Sequence, residues 1–239
     1  MGESGGSGRH PALQDPTDAQ AHITTFWSTA ASSYETHDGN VAEYGSAAYQ
    51  RWVDALAAVL PGPPCDVLDV ACGTGYLALA AASLGHRVTA IDLAPAMLDE
   101  LAANASARGL TVDARLDDAV APGFPPARFD ALTCRHFLWT LREPARAMAN
   151  WRELLRPGGR FVAVDGFWFT DWDDGDVPAV FAEHYTAETR GELPFMHLDR
   201  PEPILDALAA AGFTEVAAQP RPDLGISDGT PYLITATRA

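Results

Sequence analysis

Two rhythms of hydrophobic and polar positions alternate along this chain. Short apolar-rich runs at Asp66–Val70, Arg87–Ile91, Thr111–Leu116, Phe129–Cys134 and Arg160–Asp165 read as strands. Between them lie segments of helical spacing at Gly75–Leu84, Ala94–Arg108, Leu138–Leu141 and Glu143–Leu155. Regular β-α-β-α alternation predicts a parallel sheet covered by helices on both faces. The C-terminal part breaks the rhythm. A helix over Glu202–Ala211 closes at Gly212, and strands at Thr214–Gln219 and Tyr232–Thr237 follow with only a Pro/Asp/Gly-rich connection between them. Two strands joined without a helix can pair antiparallel, as a hairpin at one sheet edge. The expected fold class is a doubly wound α/β sheet of seven strands, mostly parallel, with an antiparallel C-terminal strand.

Upstream of the first strand the pattern changes. Residues 1–17 are rich in Gly, Ser, Pro and Asp, show no periodicity, and read as a disordered tail. Helical spacing begins near Asp18 and runs through Phe26-Trp27, and a turn-prone stretch covers Ser32 to Asn40. A second helix spans about Tyr44 to Val59, and Pro61-Gly62-Pro63-Pro64 ends it. A segment over 166–201, rich in aromatics, acids and histidines, separates the fifth strand from the last helix. With no internal repeat and no second domain visible, residues 18–239 read as a single domain.

Composition narrows the chemistry. The 239 residues carry 32 acids against 16 bases, a formal net charge of −16. Every base is arginine, and the absence of lysine excludes a Schiff-base lysine, covalently attached pyridoxal phosphate and a Walker-A phosphate site. The acidity argues against nucleic acid or an anionic membrane as partner. No apolar run approaches the roughly 20 residues of a membrane span. No secretory pattern opens the chain, so a cytoplasmic protein is expected. Cys65, Cys72 and Cys134 have neither zinc-site nor disulfide-framework spacing and read as buried, reduced thiols. Monomer and homodimer are equally compatible with the sequence.

Candidate chemistry begins at the strand, loop and helix running from Val67 to Leu79. Its glycines let the backbone approach a ligand, and the helix N-terminus behind them offers unpaired N–H groups. Gly73-x-Gly75-x-x-Ala78 satisfies the dinucleotide fingerprint, so an NAD(P)-dependent oxidoreductase is one reading. Asp92, after the second strand, fits either cofactor class as a ligand for ribose hydroxyls. Asp69 discriminates. A carboxylate beside the turn suits a cofactor end carrying an ammonium and a sulfonium, and is poorly matched to a pyrophosphate. Asp117-Asp118-Ala119, after the third strand, adds an acid and a free N–H suited to adenine. The terminal hairpin is a third discriminator, because dinucleotide folds typically end on a parallel strand.

On these residues the chain resembles the class I S-adenosylmethionine (SAM)-dependent methyltransferases, in the small-molecule group that includes the ubiquinone/menaquinone-biosynthesis enzymes. The resemblance covers about Phe26 to Arg238. The family loop D/E-x-G-x-G-x-G corresponds to Asp69-Val70-Ala71-Cys72-Gly73-Thr74-Gly75, with Ala71 in place of the first glycine. The resemblance implies a Rossmann-like fold, lid helices over 18–60, an insert over 166–201 that roofs the substrate pocket, and SAM as cofactor with no metal. It implies that Asp69, Ala71, Cys72, Gly73 and Gly75 form the cofactor loop, and that Asp92 holds the ribose with Leu93 and Met97 beside the adenosine. Asp118 and Ala119 would meet the adenine, and Tyr34 would close over the cofactor. Phe129-Asp130-Ala131-Leu132-Thr133-Cys134-Arg135-His136 resembles the family's F-D-x-V-x-x segment, which puts Arg135 by the methionine tail and His136 by the methyl group. Many relatives carry a histidine four residues further on, where this chain has Thr140. The family's segment before strand five appears as Leu155-Arg156-Pro157-Gly158-Gly159-Arg160, whose glycines read as turn chemistry.

Methyl transfer from a sulfonium is an in-line displacement, so alignment, desolvation and sometimes a base are what a protein supplies. His136, at the carboxyl end of the fourth strand, is the first catalytic candidate, against the competing reading of a structural histidine bonded to backbone groups. His184, in the insert, is the second. Trp27, Asp165, Trp168 and Tyr185 are candidate substrate-pocket residues. The insert's aromatics suggest a flat or aromatic small-molecule acceptor with an O or N nucleophile, and lid packing would give the same composition. Asp171, Asp173, Asp174 and Asp176 could hold a divalent metal, but their loop spacing favours a solvated acidic turn. The expected function is a SAM-dependent methyltransferase of a small metabolite. The alternatives are the oxidoreductase and a SAM-binding protein without transferase activity.

Overall fold

The computed structural model describes residues 18–35, 43–170, 178–225 and 230–239. Strands β1 (Asp66–Val70), β2 (Arg87–Asp92), β3 (Asp113–Leu116), β4 (Phe129–Arg135), β5 (Leu155–Asp165), β6 (Phe213–Pro220) and β7 (Tyr232–Arg238) form one sheet in the order β3-β2-β1-β4-β5-β7-β6. Strands β1 to β5 pair in parallel, and β7 lies antiparallel between β5 and β6. The helices are α1 (Asp18–Tyr34), α2 (Ala47–Val59), α3 (Tyr76–Ser83), α4 (Pro95–Arg108), α5 (Pro144–Leu154), α6 (Ala179–His184), α7 (Ala187–Gly191) and α8 (Glu202–Ala210). This is the doubly wound class expected from the pattern, with seven strands and one antiparallel C-terminal strand.

The period of two in each strand sorts its side chains into two cores. On one face Val67, Ala131 and Val162 meet Trp52 and Leu56 of α2 and Leu77 of α3. On the other, Leu68, Leu132 and Phe161 meet Met148 and Trp151 of α5 and Leu208 of α8. Both faces being covered, the central strands are apolar almost throughout.

Four details differ from the pattern reading. Helix α3 is buried from Tyr76 to Ala81 rather than along one stripe, because α2 packs Tyr49 and Trp52 over Tyr76. Helix α1 continues through the turn-prone residues to Tyr34, since Ala31 and Tyr34 pack with Ala94 and Met97 and tertiary burial outweighs local propensity. The insert contains α6 and α7, too short for helical periodicity to register. Strand β5 begins at Leu155, upstream of the glycines. Phe129 pairs with Leu155 and Ala131 with Arg160, so the residues between bulge outward, with Gly158 at φ +78°.

Gly75 ends the loop after β1 at φ +93°, and a Cβ there would lie 2.0 Å from Leu101 Cδ1 of α4. Gly75→Ala is expected to destabilise the fold by about 2–4 kcal/mol, combining left-handed backbone strain with overpacking. Urea denaturation measures it. The Gly75→Ala, Leu101→Ala double variant should cost less than the sum of the singles, and strict additivity would show that no steric conflict exists.

Candidate active site

Strand order reverses between β1 and β4, and in such sheets the crevice at the carboxyl ends is where ligands bind. A cleft with about 780 Å³ of empty space, open to solvent, occupies that position. Ala71 and Gly73 line it from the loop after β1, Asp92 and Leu93 from the end of β2, and Met97 from α4. Asp118 and Ala119 line it from the loop after β3, Arg135 and His136 from the end of β4, and Trp27 and Tyr34 from α1.

Asp92 ties two of these elements together. Its Oδ2 accepts from the Gly73 N–H at 2.9 Å and its Oδ1 from the Ala94 N–H at 2.8 Å. Burial raises its pKa. The Leu93 N–H bonds it as well, and since an ionised carboxylate has about four lone-pair sites, acceptor capacity remains for a hydroxyl group of a ligand. Beyond β3, Asp118 Oδ1 accepts from the Val120 N–H at 2.8 Å. Helix α5 holds this loop from behind: Trp151 Nε1 donates to the Ala119 carbonyl at 2.6 Å and Asn150 Nδ2 to the Val120 carbonyl at 2.7 Å. Neither Asn150 nor Trp151 stands out in the sequence, because their role depends on where the loop lies.

At the end of β4 the Arg135 guanidinium sits 4.3 Å from the Tyr76 ring centroid and 5.4 Å from that of Trp52, a cation–π arrangement, and donates to the Tyr34 hydroxyl at 3.4 Å. His136 adopts φ +51°, a strained conformation for a non-glycine residue. Its N–H bonds the Val164 carbonyl at 2.9 Å, its carbonyl accepts from Trp139 Nε1 at 2.9 Å, and Trp168 packs edge-on against its ring. Burial and the Arg135 charge hold its pKa well below 6.5, so the imidazole is neutral. Nε2 is buried with no partner among the described residues. A buried, unmet polar atom in a cleft wall is what a ligand would satisfy.

Several sequence-predicted residues do not line the cleft. Asp69 lies buried, accepting from Thr133 Oγ1 at 2.6 Å and from the Ala78 N–H, and desolvation pushes its pKa up to about 7. Cys72 is buried, with its thiol pKa raised by burial, and Gly75 turns the loop. Asp165 fastens the turn that follows His136: Oδ2 accepts from the Phe137 and Leu138 N–H groups at 2.9 and 2.6 Å, and Oδ1 from Gly166. Burial pushes Asp165 up to about 6. Trp168 stands behind His136, Tyr185 is fully buried, and His184 meets His22 and Phe26 of α1. His37, Asp171, Asp173, Asp174 and Asp176 fall outside the described residues.

The cleft also contains residues that the sequence reading passed over, Gln20, Ile23 and Thr24 of α1 with Leu141 and Arg142, and Thr140, which stands where many relatives carry a histidine. Gln20, Thr24 and Trp27 recur at helical spacing on one face, a legible signal. Arg142 had none. Among the described residues no group of three or more His, Cys, Asp or Glu side chains gathers as metal ligands, and no helix is long and apolar enough to cross a membrane.

Known proteins resemble this chain in sequence and in fold. The methyltransferase-domain family matches residues 68–163. Nocamycin O-methyltransferase from Saccharothrix syringae is 36% identical over 180 residues, covering 67% of this chain and 63% of that protein. A ubiquinone biosynthesis O-methyltransferase from Xylella fastidiosa (strain 9a5c) is 38% identical over 116 residues, covering 47% of this chain and 46% of that protein. This chain carries a SAM-dependent methyltransferase domain. It spans less than two thirds of the length of either of these curated methyltransferases. The matched methyltransferase domain runs from β1 into β5 and leaves out α1, α2 and the insert over 166–201. Among solved structures, the [4+2]-cyclase SpnF superposes with a TM-score of 0.66 at 22% identity, over 95% of this chain and 99% of that one. That likeness concerns the methyltransferase fold, which by itself does not set the reaction.

Proposed function

We propose that this protein transfers a methyl group from SAM to an oxygen atom of a small, flat, apolar-bodied metabolite. The observation that carries the reading is the convergence in one cleft of Asp92, the Asp118-Ala119 loop and the Arg135–Tyr34 pair, with His136 and the face of α1 alongside. The relatives' names as O-methyltransferases support oxygen as the acceptor. When bound, SAM supplies an electrophilic methyl group on a sulfonium. The remaining acceptor capacity of Asp92 would take a ribose hydroxyl, Asp118 and Ala119 the adenine, and Arg135 with Tyr34 the carboxylate of the amino-acid tail. In-line displacement needs an aligned acceptor and excluded water. Trp27 and Ile23 give the cleft an apolar wall, backed by the packed rings of Trp139, Phe181 and Tyr185. His136, neutral and with Nε2 unmet among the described residues, would accept a hydrogen bond and orient the acceptor.

Titration calorimetry with SAM, S-adenosylhomocysteine and NADH tests the cofactor: the first two should bind, and exclusive binding of NADH would sink the reading. His136→Ala should leave SAM affinity nearly unchanged and lower turnover about tenfold, the equivalent of ~1.4 kcal/mol of transition-state stabilisation. Unchanged turnover would remove His136 from the chemistry.

A further inference from the structure

Asn104, in α4, has a partner for every polar atom of its side chain. Its Nδ2 donates to Glu35 Oε1 at 2.7 Å and to the Thr74 carbonyl at 3.3 Å, and its Oδ1 accepts from Arg108 at 3.0 Å. An ionised carboxylate and a carbonyl only accept, and a guanidinium only donates, so these partners leave one orientation for the amide. Two of them come from other elements. Thr74 lies in the loop after β1, and Glu35 follows the last residue of α1.

Both of these partners need what Asn104 supplies. The Thr74 carbonyl precedes the hydrogen-bond ladder of α3, which opens with the Leu79 N–H on the Gly75 carbonyl at 2.8 Å. The Ala78 N–H, one turn beyond Thr74, is taken by Asp69. Thr74 is buried, so its carbonyl needs a donor from the protein, and Asn104 provides one. Glu35 puts a carboxylate at the C-terminus of α1, where it opposes the helix dipole, so partners outside the helix hold it there. Besides Asn104, the Tyr44 hydroxyl donates to it at 3.4 Å, and the Arg108 guanidinium stacks 3.6 Å from the Tyr44 ring centroid.

Gly73, next to Thr74, and Tyr34, next to Glu35, both line the cleft, whereas Asn104 stands behind them, outside its lining. Gly73 is tied to Asp92, and Tyr34 to Arg135. We infer that Asn104 is a positioning residue that couples the cofactor loop to α1, so that an occupied cofactor site and a docked α1 stabilise each other. The inference rests on the reading of the cleft as a SAM site. A cofactor lying between Gly73 and Tyr34 touches both elements, and the bridge behind them sets their spacing before it arrives. Without the bridge, cofactor binding must itself align the loop and the helix, and affinity falls by the cost of that alignment. Because α1 also brings Ile23 and Trp27 to the cleft, cofactor occupancy reaches the apolar wall of the acceptor by the same route.

The probe is S-adenosylhomocysteine, whose release from the protein is followed by stopped-flow tryptophan fluorescence. Asn104→Asp keeps the shape of the side chain and turns a carboxylate oxygen toward Glu35 and the Thr74 carbonyl. It should speed dissociation about tenfold, the loss of one hydrogen bond to a charged group, with association nearly unchanged. In amide hydrogen exchange, saturating S-adenosylhomocysteine should slow α1 severalfold in the wild type and much less in Asn104→Asp, while the central strands stay equally protected. Glu35→Gln alone keeps an acceptor oxygen for Asn104 and should stay within about twofold of the wild type. Added to Asn104→Asp, it offers an N–H to the new carboxylate and should slow dissociation again by about threefold, a rescue that general loosening of the fold does not produce. Should Asn104→Asp not fold, Asn104→Ala replaces it, and dissociation about threefold faster is expected from lost bonds without repulsion. Wild-type dissociation rates in Asn104→Asp and Asn104→Ala, or no recovery in the double variant, would overturn the inference and leave the SAM site standing. If the wild type does not bind S-adenosylhomocysteine, the SAM reading fails and the coupling falls with it.

Discussion

Asp69→Asn is expected to make the protein more stable than the wild type at pH 8, on the order of 3–4 kcal/mol. Burial raises the folded-state pKa of Asp69 from 3.8 to about 7. Between those values the unfolded chain has released the proton and the folded chain has kept it. Stability is therefore full below about pH 4 and falls as the pH rises to about 7. An amide at this position can accept from the Ala78 N–H through its oxygen and donate to Thr133, whose hydroxyl rotates to accept. The substitution thus keeps both hydrogen bonds and removes the titration. Urea midpoints from pH 4 to 8 measure it. Asp165, pushed up to about 6, contributes a smaller fall of the same sign that the variant retains. If the variant's curve parallels that of the wild type throughout, Asp69 does not titrate in this window.

Asp92→Ala should weaken S-adenosylhomocysteine binding at least about 100-fold while the protein remains folded. It leaves the Gly73 and Ala94 N–H groups without their acceptor, at roughly 1–3 kcal/mol for each that stays buried, and it removes the proposed ribose contacts. The loop after β1 loses its tie to the end of β2, so the cradle slackens as well as losing a ligand. Asp92→Asn should fall between, because one of the two acceptor oxygens becomes a donor facing an N–H. Calorimetry with the wild type and both variants gives the order directly. Binding within threefold of the wild type in the alanine variant would place the cofactor elsewhere.

These two carboxylates show how unevenly the site was legible. Asp92 stands out because it ends a strand and precedes a helix, and the fold carries such a residue to the crevice. Asp69 belongs to the same motif, yet its side chain turns beneath the loop to Thr133 and Ala78, so its leverage is on stability and charge rather than on contact. Asp165 ends β5 as Asp92 ends β2, but its oxygens are consumed by the turn at Phe137 and Leu138. Equivalent positions in the sequence thus differ according to which backbone N–H groups lie beside them. Tyr185 was expected in the pocket, and the structure puts it one layer behind, where its hydroxyl meets Trp27 and Thr140.

What the sequence by itself determined is whatever depends on neighbours a few residues away. Apolar runs of strand length, helical spacing between them, the glycine turn and the acids at strand ends are all local, and together they imply the sheet, its order of elements and the end of it where ligands sit. Only the tertiary structure decided the substrate side. Trp27 meets Tyr185 across 158 positions of sequence, Tyr185 meets Thr140 across 45, and α5 reaches back 32 to hold the Ala119 carbonyl. Contacts of that span carry no periodicity, because each is set by how separate elements pack and which buried donor must find an acceptor. Arg142 became a cleft residue in the same way, when the turn after β4 and the helix α1 closed over one space.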